Sequence, residues 1–276
     1  MDNLDRLYVS KSNLLWMEVI QKHHDSPVAG YAGYEKILDM LQHNYYWPGM
    51  ATIVKEYVTR CDTCQRFKGS NVAPAGLLHL LETPSLPWEN ISADFITDLP
   101  LSHSFDAILM VVDRFSKEVE LIPCTKTCSA LNTAKLFMHN MWKHHGLPHS
   151  ITSDWGLQFA AEVMQEINKA LGITTKLSTS FHSQTDGQIE IVNKEVQKFL
   201  QIYCFEKQDQ WANWLAIAQF SINSKKHAST KVAPFKETQS YIPCMGIEPI
   251  PVNKAPAAKN FTSKMEDMLK SMRKNL

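Results

Sequence analysis

Ser153-Asp154-Trp155-Gly156-Leu157-Gln158-Phe159, then His182-Ser183-Gln184-Thr185-Asp186-Gly187-Gln188-Ile189-Glu190-Ile191-Val192-Asn193: the rest of the chain is arranged around this pair of motifs. Asp154 follows a short run of strand-forming character, Ser150-Ile151-Thr152-Ser153. Glu190 lies 36 positions later, within a strongly periodic segment. Stepped at about 100° per residue from Ile189, the residues Ile189, Val192, Val196, Phe199, Leu200 and Tyr203 fall on one side of a helix. Glu190, Lys194, Gln197, Lys198 and Gln201 fall on the other. A carboxylate and two ammonium groups on one solvent face suit a metal ion and phosphate together. Polar helix faces often do no more than meet water, but that leaves the Thr185-Asp186-Gly187-Gln188 loop and Asp154 without a reason.

Working outward, Ile91 to Ile96 reads as a strand, 106–113 as a second and 118–123 as a third, with Asp113 to Lys117 as the turn between the last two. An amphipathic helix follows, with Leu131, Ala134, Met138, Met141 and Trp142 on its expected core face, and His144-His145-Gly146 at its end. The strand before Asp154, a helix over 161–171 and a strand over 173–178 complete the pattern. Three hairpin-linked strands followed by alternating helix and strand predict an α/β domain whose mixed five-stranded sheet is flanked by helices. After the Glu190 helix, Trp211, Trp214, Leu215, Ala218 and Ile222 form another apolar stripe, read as core.

Upstream, three short helical segments run into Cys61-Asp62-Thr63-Cys64. Leu14, Leu15, Val19 and Ile20 are expected inward on the first, Tyr34, Ile37, Leu38 and Leu41 on the second, and Ile53, Val54, Tyr57 and Val58 on the third. A unit this small lacks core, and zinc on a Cys-x-x-Cys is the usual remedy; packing alone is the competing expectation. The predicted divisions are a helical domain at 1–65, a Gly- and Pro-interrupted linker at 66–88, the α/β core at 89–246, and a connector with a charged tail at 247–276.

These motifs resemble those of retroviral-type integrases, and the wording from His182 to Asn193 is similar to the gypsy-type branch of LTR retrotransposons. The family spaces its second Asp and its Glu by 35 residues, the number from Trp155 to Ile189 here. The resemblance covers about residues 8 to 246 and implies an RNase H-like core preceded by a His-His-Cys-Cys zinc domain. Asp94, in Asp94-Phe95-Ile96-Thr97-Asp98-Leu99-Pro100, matches the first catalytic Asp. Asp94, Asp154 and Glu190 are then the implied catalytic residues and the ligands of Mg²⁺ or Mn²⁺. His24, Cys61 and Cys64 match zinc ligands, whereas Tyr31 stands where the family places its second His; His23 and His43 are the other imidazoles within reach of the reading. Lys194 and Lys198 are expected on backbone phosphates, and Gln184 and Gln188 on DNA ends. The implied activity is processing of DNA 3′ ends and their joining to target DNA, by a homo-oligomer on DNA, with RNA of the parent element as a further partner.

Composition sets limits on that expectation. Lys plus Arg is 28 and Asp plus Glu is 28, a net charge of +0, so phosphate attraction must come from a local face. The acidic start Met1-Asp2-Asn3-Leu4-Asp5 lacks the apolar stretch of a secretory signal, and no apolar run approaches a membrane span. An intracellular location is expected, nuclear by the resemblance alone. Of six cysteines, only Cys61 and Cys64 have ligand spacing. Trp155 and Ile191 occupy positions where the family usually carries Arg. They motivate a rival expectation, a decayed or host-captured integrase that binds nucleic acid without catalysis, separable by metal-dependent strand transfer.

Overall fold

A computed structural model describes residues 6–10, 12–67, 84–153, 157–171, 178–180 and 187–248. The helical unit starts with β1 (Leu7–Tyr8) and α1 (Asn13–His24), whose N-cap Ser12 accepts the Leu15 N–H. Next come α2 (Tyr34–Asn44), β2 (Tyr45–Tyr46), which pairs parallel with β1, α3 (Met50–Arg60) and a fourth short helix, α4 (Asp62–Phe67). Ile37, Leu41, Val54 and Val58 are buried, with Tyr34, Leu38, Ile53 and Tyr57 packed around them, as the periodicity predicts. The α1 face differs from expectation. Leu14 is 84% exposed and Leu15 is exposed, while Trp16, Ile20, His23 and His24 are buried. Stacking of Trp16 on Trp47, ring centroids 6.2 Å apart, fixes the buried side, and Leu14 lies almost opposite it.

The core sheet is built from β3 (Asn90–Ile96), β4 (Ala107–Asp113), β5 (Val119–Cys124), β6 (Ser150–Ser153) and β7 (Ser178–Ser180). Their order is β5-β4-β3-β6-β7; β3, β4 and β5 are antiparallel, and β6 and β7 run parallel to β3. This is the mixed five-stranded sheet predicted. The fifth strand was expected over 173–178, of which only Ser178 lies within the described residues. One sheet face carries α5 (Ala130–Phe137) and α7 (Leu157–Leu171), packed through residues such as Phe137, Met141, Val163 and Ile167. A π turn at Met138–Trp142 and a last turn, α6 (Lys143–His145), follow α5 before Gly146, whose φ of 76° ends the helix. The extra residue in a π turn shifts the helical phase. Trp142, expected inward, is therefore exposed; Leu131, also expected inward, is exposed in the first turn of α5, while Ala134, Phe137 and Met141 are buried.

The other face carries α8 (Gly187–Tyr203) and α9 (Trp211–Asn223). Ile189, Val192, Val196, Phe199 and Leu200 from α8 meet Met110, Val112 and Leu121 from the sheet. Each such side chain withdrawn from water contributes about 1.5–3 kcal/mol. α10 (Pro234–Gln239) closes the described core. Strand β5 lies at a sheet edge, and α9 covers it with side chains. Asn223 accepts the Val119 N–H and donates to the Val119 carbonyl, both at 2.9 Å, and Gln219 accepts the Leu121 N–H at 3.0 Å. Two amides thus occupy hydrogen-bonding positions that a neighbouring strand would fill. Among the described residues, no helix is long and apolar enough to cross a membrane.

The helical unit packs on the α8–α9 side of the core. Lys36 pairs with Glu195 at 2.8 Å and Lys226 with Asp39 at 3.2 Å. The Tyr203 hydroxyl donates to the Ser26 carbonyl at 3.0 Å, and Phe67 meets Phe205 edge-on at 5.9 Å.

Candidate functional site

Asp94 sits on the central strand β3, on the face that α8 covers. Its Oδ1 accepts the Phe95 N–H at 2.8 Å, and its Oδ2 accepts Asn193 Nδ2 at 2.7 Å. Asn193 lies three residues beyond Glu190, close to one turn along α8. That contact joins the strand bearing Asp94 to the helix bearing Glu190, whose side chain is exposed. Ser153, the last residue of β6, pairs with Ala93, so the residues just before Asp154 and Asp94 are neighbours across two parallel strands. Asp154 itself and Gln184 lie outside the described residues, as does the Gln188 side chain. Lys194 is exposed, Lys198 is half-buried, and Ile191 is 60% exposed on the same polar helix. Asn193 closes the same motif, and its position about one turn from Glu190 is the sequence signal for a place at this site. Its Oδ1 is buried with no hydrogen-bond partner among the described residues, an unsatisfied acceptor beside the candidate carboxylate.

A second cluster closes the helical unit. The ligand atoms of His24, Cys61 and Cys64 all lie within 4.8 Å of one another, the one such group of three among the described residues. His24 Nε2 is 3.4 Å from Cys64 Sγ. Two ligands of a tetrahedral zinc ion, bound at about 2.0 and 2.3 Å, stand about 3.5 Å apart. The other ring nitrogen, Nδ1, contacts Asp25 Oδ1 at 2.6 Å, and Asp25 Oδ2 accepts the Tyr57 hydroxyl at 2.7 Å. A carboxylate behind an imidazole is the arrangement that orients a ligating histidine. The donor chemistry and spacing therefore fit zinc at three positions. His23 and His43 turn their Nδ1 atoms to the Val19 and Asp39 carbonyls, in the preceding turns of their own helices. Tyr31 lies beside the cluster, edge-on to His24 at 5.2 Å and with its carbonyl 3.9 Å from Cys64 Sγ. Burial raises the Tyr31 phenol pKa, and the nearby Asp25, Cys61 and Cys64 add to that against a hydrogen bond with Thr63. A neutral phenol is a poor substitute for imidazole on zinc.

Residues 12–70 match the family model described as the integrase zinc binding domain. The Tf2-3 and Tf2-4 transposon polyproteins of Schizosaccharomyces pombe are each 32% identical over 241 residues, or 87% of this chain. The chain belongs to the retroviral-type integrase family of LTR retrotransposons. It spans 18% of the length of those two polyproteins. The fold of this integrase-family chain is similar to that of a solved simian T-cell lymphotropic virus intasome in complex with PP2A regulatory subunit B56 gamma. That likeness has a TM-score of 0.52 at 18% identity and covers 83% of this chain and 77% of the other. It extends the agreement in fold over both the helical unit and the core.

Proposed function

We propose that this chain acts as the integrase segment of a retrotransposon polyprotein, trimming DNA 3′ ends and joining them to target DNA through Asp94, Asp154 and Glu190. The observation that carries the reading is the Asp94–Asn193 contact, which ties the central strand to α8 close to one turn from Glu190. An all-carboxylate donor set is the chemistry that Mg²⁺ or Mn²⁺ favours. When bound, such cations supply Lewis acidity and charge neutralisation at the phosphodiester. Asn193 and the Phe95 N–H fix the Asp94 carboxylate before substrate arrives. Lys194 and Lys198 draw the nucleic-acid backbone along α8, and Gln184 and Gln188 contact the DNA end. His24, Cys61 and Cys64 hold zinc and so stabilise the helical unit. The working form is a homo-oligomer on DNA in the nucleus, with the RNA of the parent element as an earlier partner. The domain divisions are those of the sequence: 1–65, 66–88, 89–246 and 247–276.

The test is strand transfer with duplexes carrying the terminal sequence of the parent element, with and without Mg²⁺. Product should require the metal, and Glu190→Gln should lose at least about a hundredfold in rate, because removing a ligand forfeits several kcal/mol of charge stabilisation. A near wild-type rate in Glu190→Gln with unchanged melting would refute the assignment of Glu190.

A further inference from the structure

Where the helical unit meets the core, the loop leading into α2, the start of α2, α8 and the end of α9 line a partly open cavity of about 350 Å³. The chemistry proposed for Asp94 and Glu190 makes no use of it. A water needs only about 10–15 Å³ of such space, so there is room for an anion and its hydration. Lys225, just past the end of α9, is buried there. Its ammonium donates to Ser221 Oγ at 2.6 Å, the one hydrogen bond it makes among the described residues. Glu195 on α8 faces the same space but already gives Oε1 to Lys36. Three lysines, Lys36, Lys198 and Lys225, line the cavity against two glutamates, Glu35 and Glu195. Burial, with the like charges of Lys36 and Lys198, outweighs Glu195 and lowers the Lys225 pKa to about 7.

Two further features point to an anion. Helix α2 begins at the cavity with Gly33 as its N-cap, which has no side chain to cap the first turn. An uncapped helix start beside lysines is the arrangement that binds phosphate. Gly30 borders the same space at φ +60°, and a Cβ there would lie 3.0 Å from Lys225 Nζ and 2.5 Å from Ser221 Oγ. The missing side chain leaves room around the ammonium. A buried ammonium with one neutral hydroxyl partner is costly, and a bound anion removes that cost.

We propose that this cavity binds a phosphate oxyanion, held by Lys225, Lys198, Lys36 and the start of α2, and that its occupant fastens the helical unit to the core. Free inorganic phosphate and a phosphodiester of a strand following α8 from Lys194 offer the same chemistry. Only the second source rests on the proposed function.

The experiment is titration of the full chain with inorganic phosphate, against chloride at matched ionic strength, read by calorimetry and by melting temperature. Phosphate should bind saturably and raise Tm by a few degrees, because a ligand specific to the folded form stabilises it. Lys225→Met should weaken phosphate at least about tenfold, and Lys225→Arg should retain most of the response. Lys169→Met, on an exposed face of α7, should respond like wild type. Glu190→Gln should also keep the full response, which separates this site from the catalytic assignment. Displacement of phosphate by a short single-stranded oligonucleotide identifies the strand as the occupant, and simultaneous binding identifies the free ion. Equal melting in phosphate and chloride, or a wild-type response in Lys225→Met, would overturn the proposal.

Discussion

Replacing Gly30 by Ala probes how the two units are held together. Gly30 has a φ of +60°, where an L side chain costs about 1–2 kcal/mol. The added Cβ would meet Ser221 Oγ at 2.5 Å, Lys225 Nζ at 3.0 Å and the Phe199 ring at 3.2 Å. Ser221 and Phe199 are buried and cannot swing into solvent, so overpacking adds about 1–3 kcal/mol. Against that total of roughly 2–5 kcal/mol stand interface contacts of modest strength. The half-exposed pairs Lys36–Glu195 and Lys226–Asp39 are worth at most about 1 kcal/mol each, and the Tyr203–Ser26 hydrogen bond about 1 kcal/mol. The clash is therefore comparable to the adhesion, and the variant relieves it by loosening the helical unit from α8 and α9. Urea unfolding of Gly30→Ala, Ser221→Ala and the double variant isolates the contact. A coupling of at least about 1 kcal/mol, with the double variant more stable than additivity predicts, is the expected result. Strict additivity, with Gly30→Ala losing less than about 0.5 kcal/mol, would refute both the close approach and the docked arrangement.

Tyr31→His should tighten zinc at least about tenfold by supplying a fourth ligand, and raise Tm only when zinc is present; the φ of 47° at this position favours histidine over tyrosine. Chelator competition measures this, and equal zinc affinity in the two proteins would mean that the space at Tyr31 is not the fourth position. Glu120 is held up to about 7 by burial, with Glu118 adding to the rise against the Gln219 hydrogen bond. Its folded pKa exceeds its unfolded value, so its contribution to stability is complete below about pH 4.5 and is lost as pH rises through about 7. Melting curves across that window should fall less steeply for Glu120→Gln, and parallel profiles would remove Glu120 as the titrating group.

The sheet and α8 were legible because their signals are local. β4 is apolar from Ala107 to Val112 and buried along its whole length, and the α8 stripe keeps a regular helical period from Ile189 to Tyr203. The misreadings share a cause in which distant structure decides a local choice. Leu14 and Leu15 look like core until Trp47 claims Trp16, and Trp142 looks inward until the π turn shifts the helix beneath it. At the candidate sites, the motifs and the family resemblance pointed to Asp94, Glu190, His24, Cys61 and Cys64, of which the structure draws the last three together. The roles of Asn193, Asp25 and Tyr57 depend on contacts that no period encodes. The docking of the two units was illegible for the same reason, since Tyr203 reaches Ser26 across 177 positions.

The amides of Asn223 and Gln219 along β5 bear on what this edge of the sheet can accept. A bare strand edge accepts almost any extended peptide, because the backbone pattern is the same for every sequence. With that edge occupied by α9, growth of the sheet there is closed, to partners and to aggregation alike. On the proposed function, copies that gather on one DNA meet along this side of the sheet through side-chain surfaces, where a single substitution changes the fit.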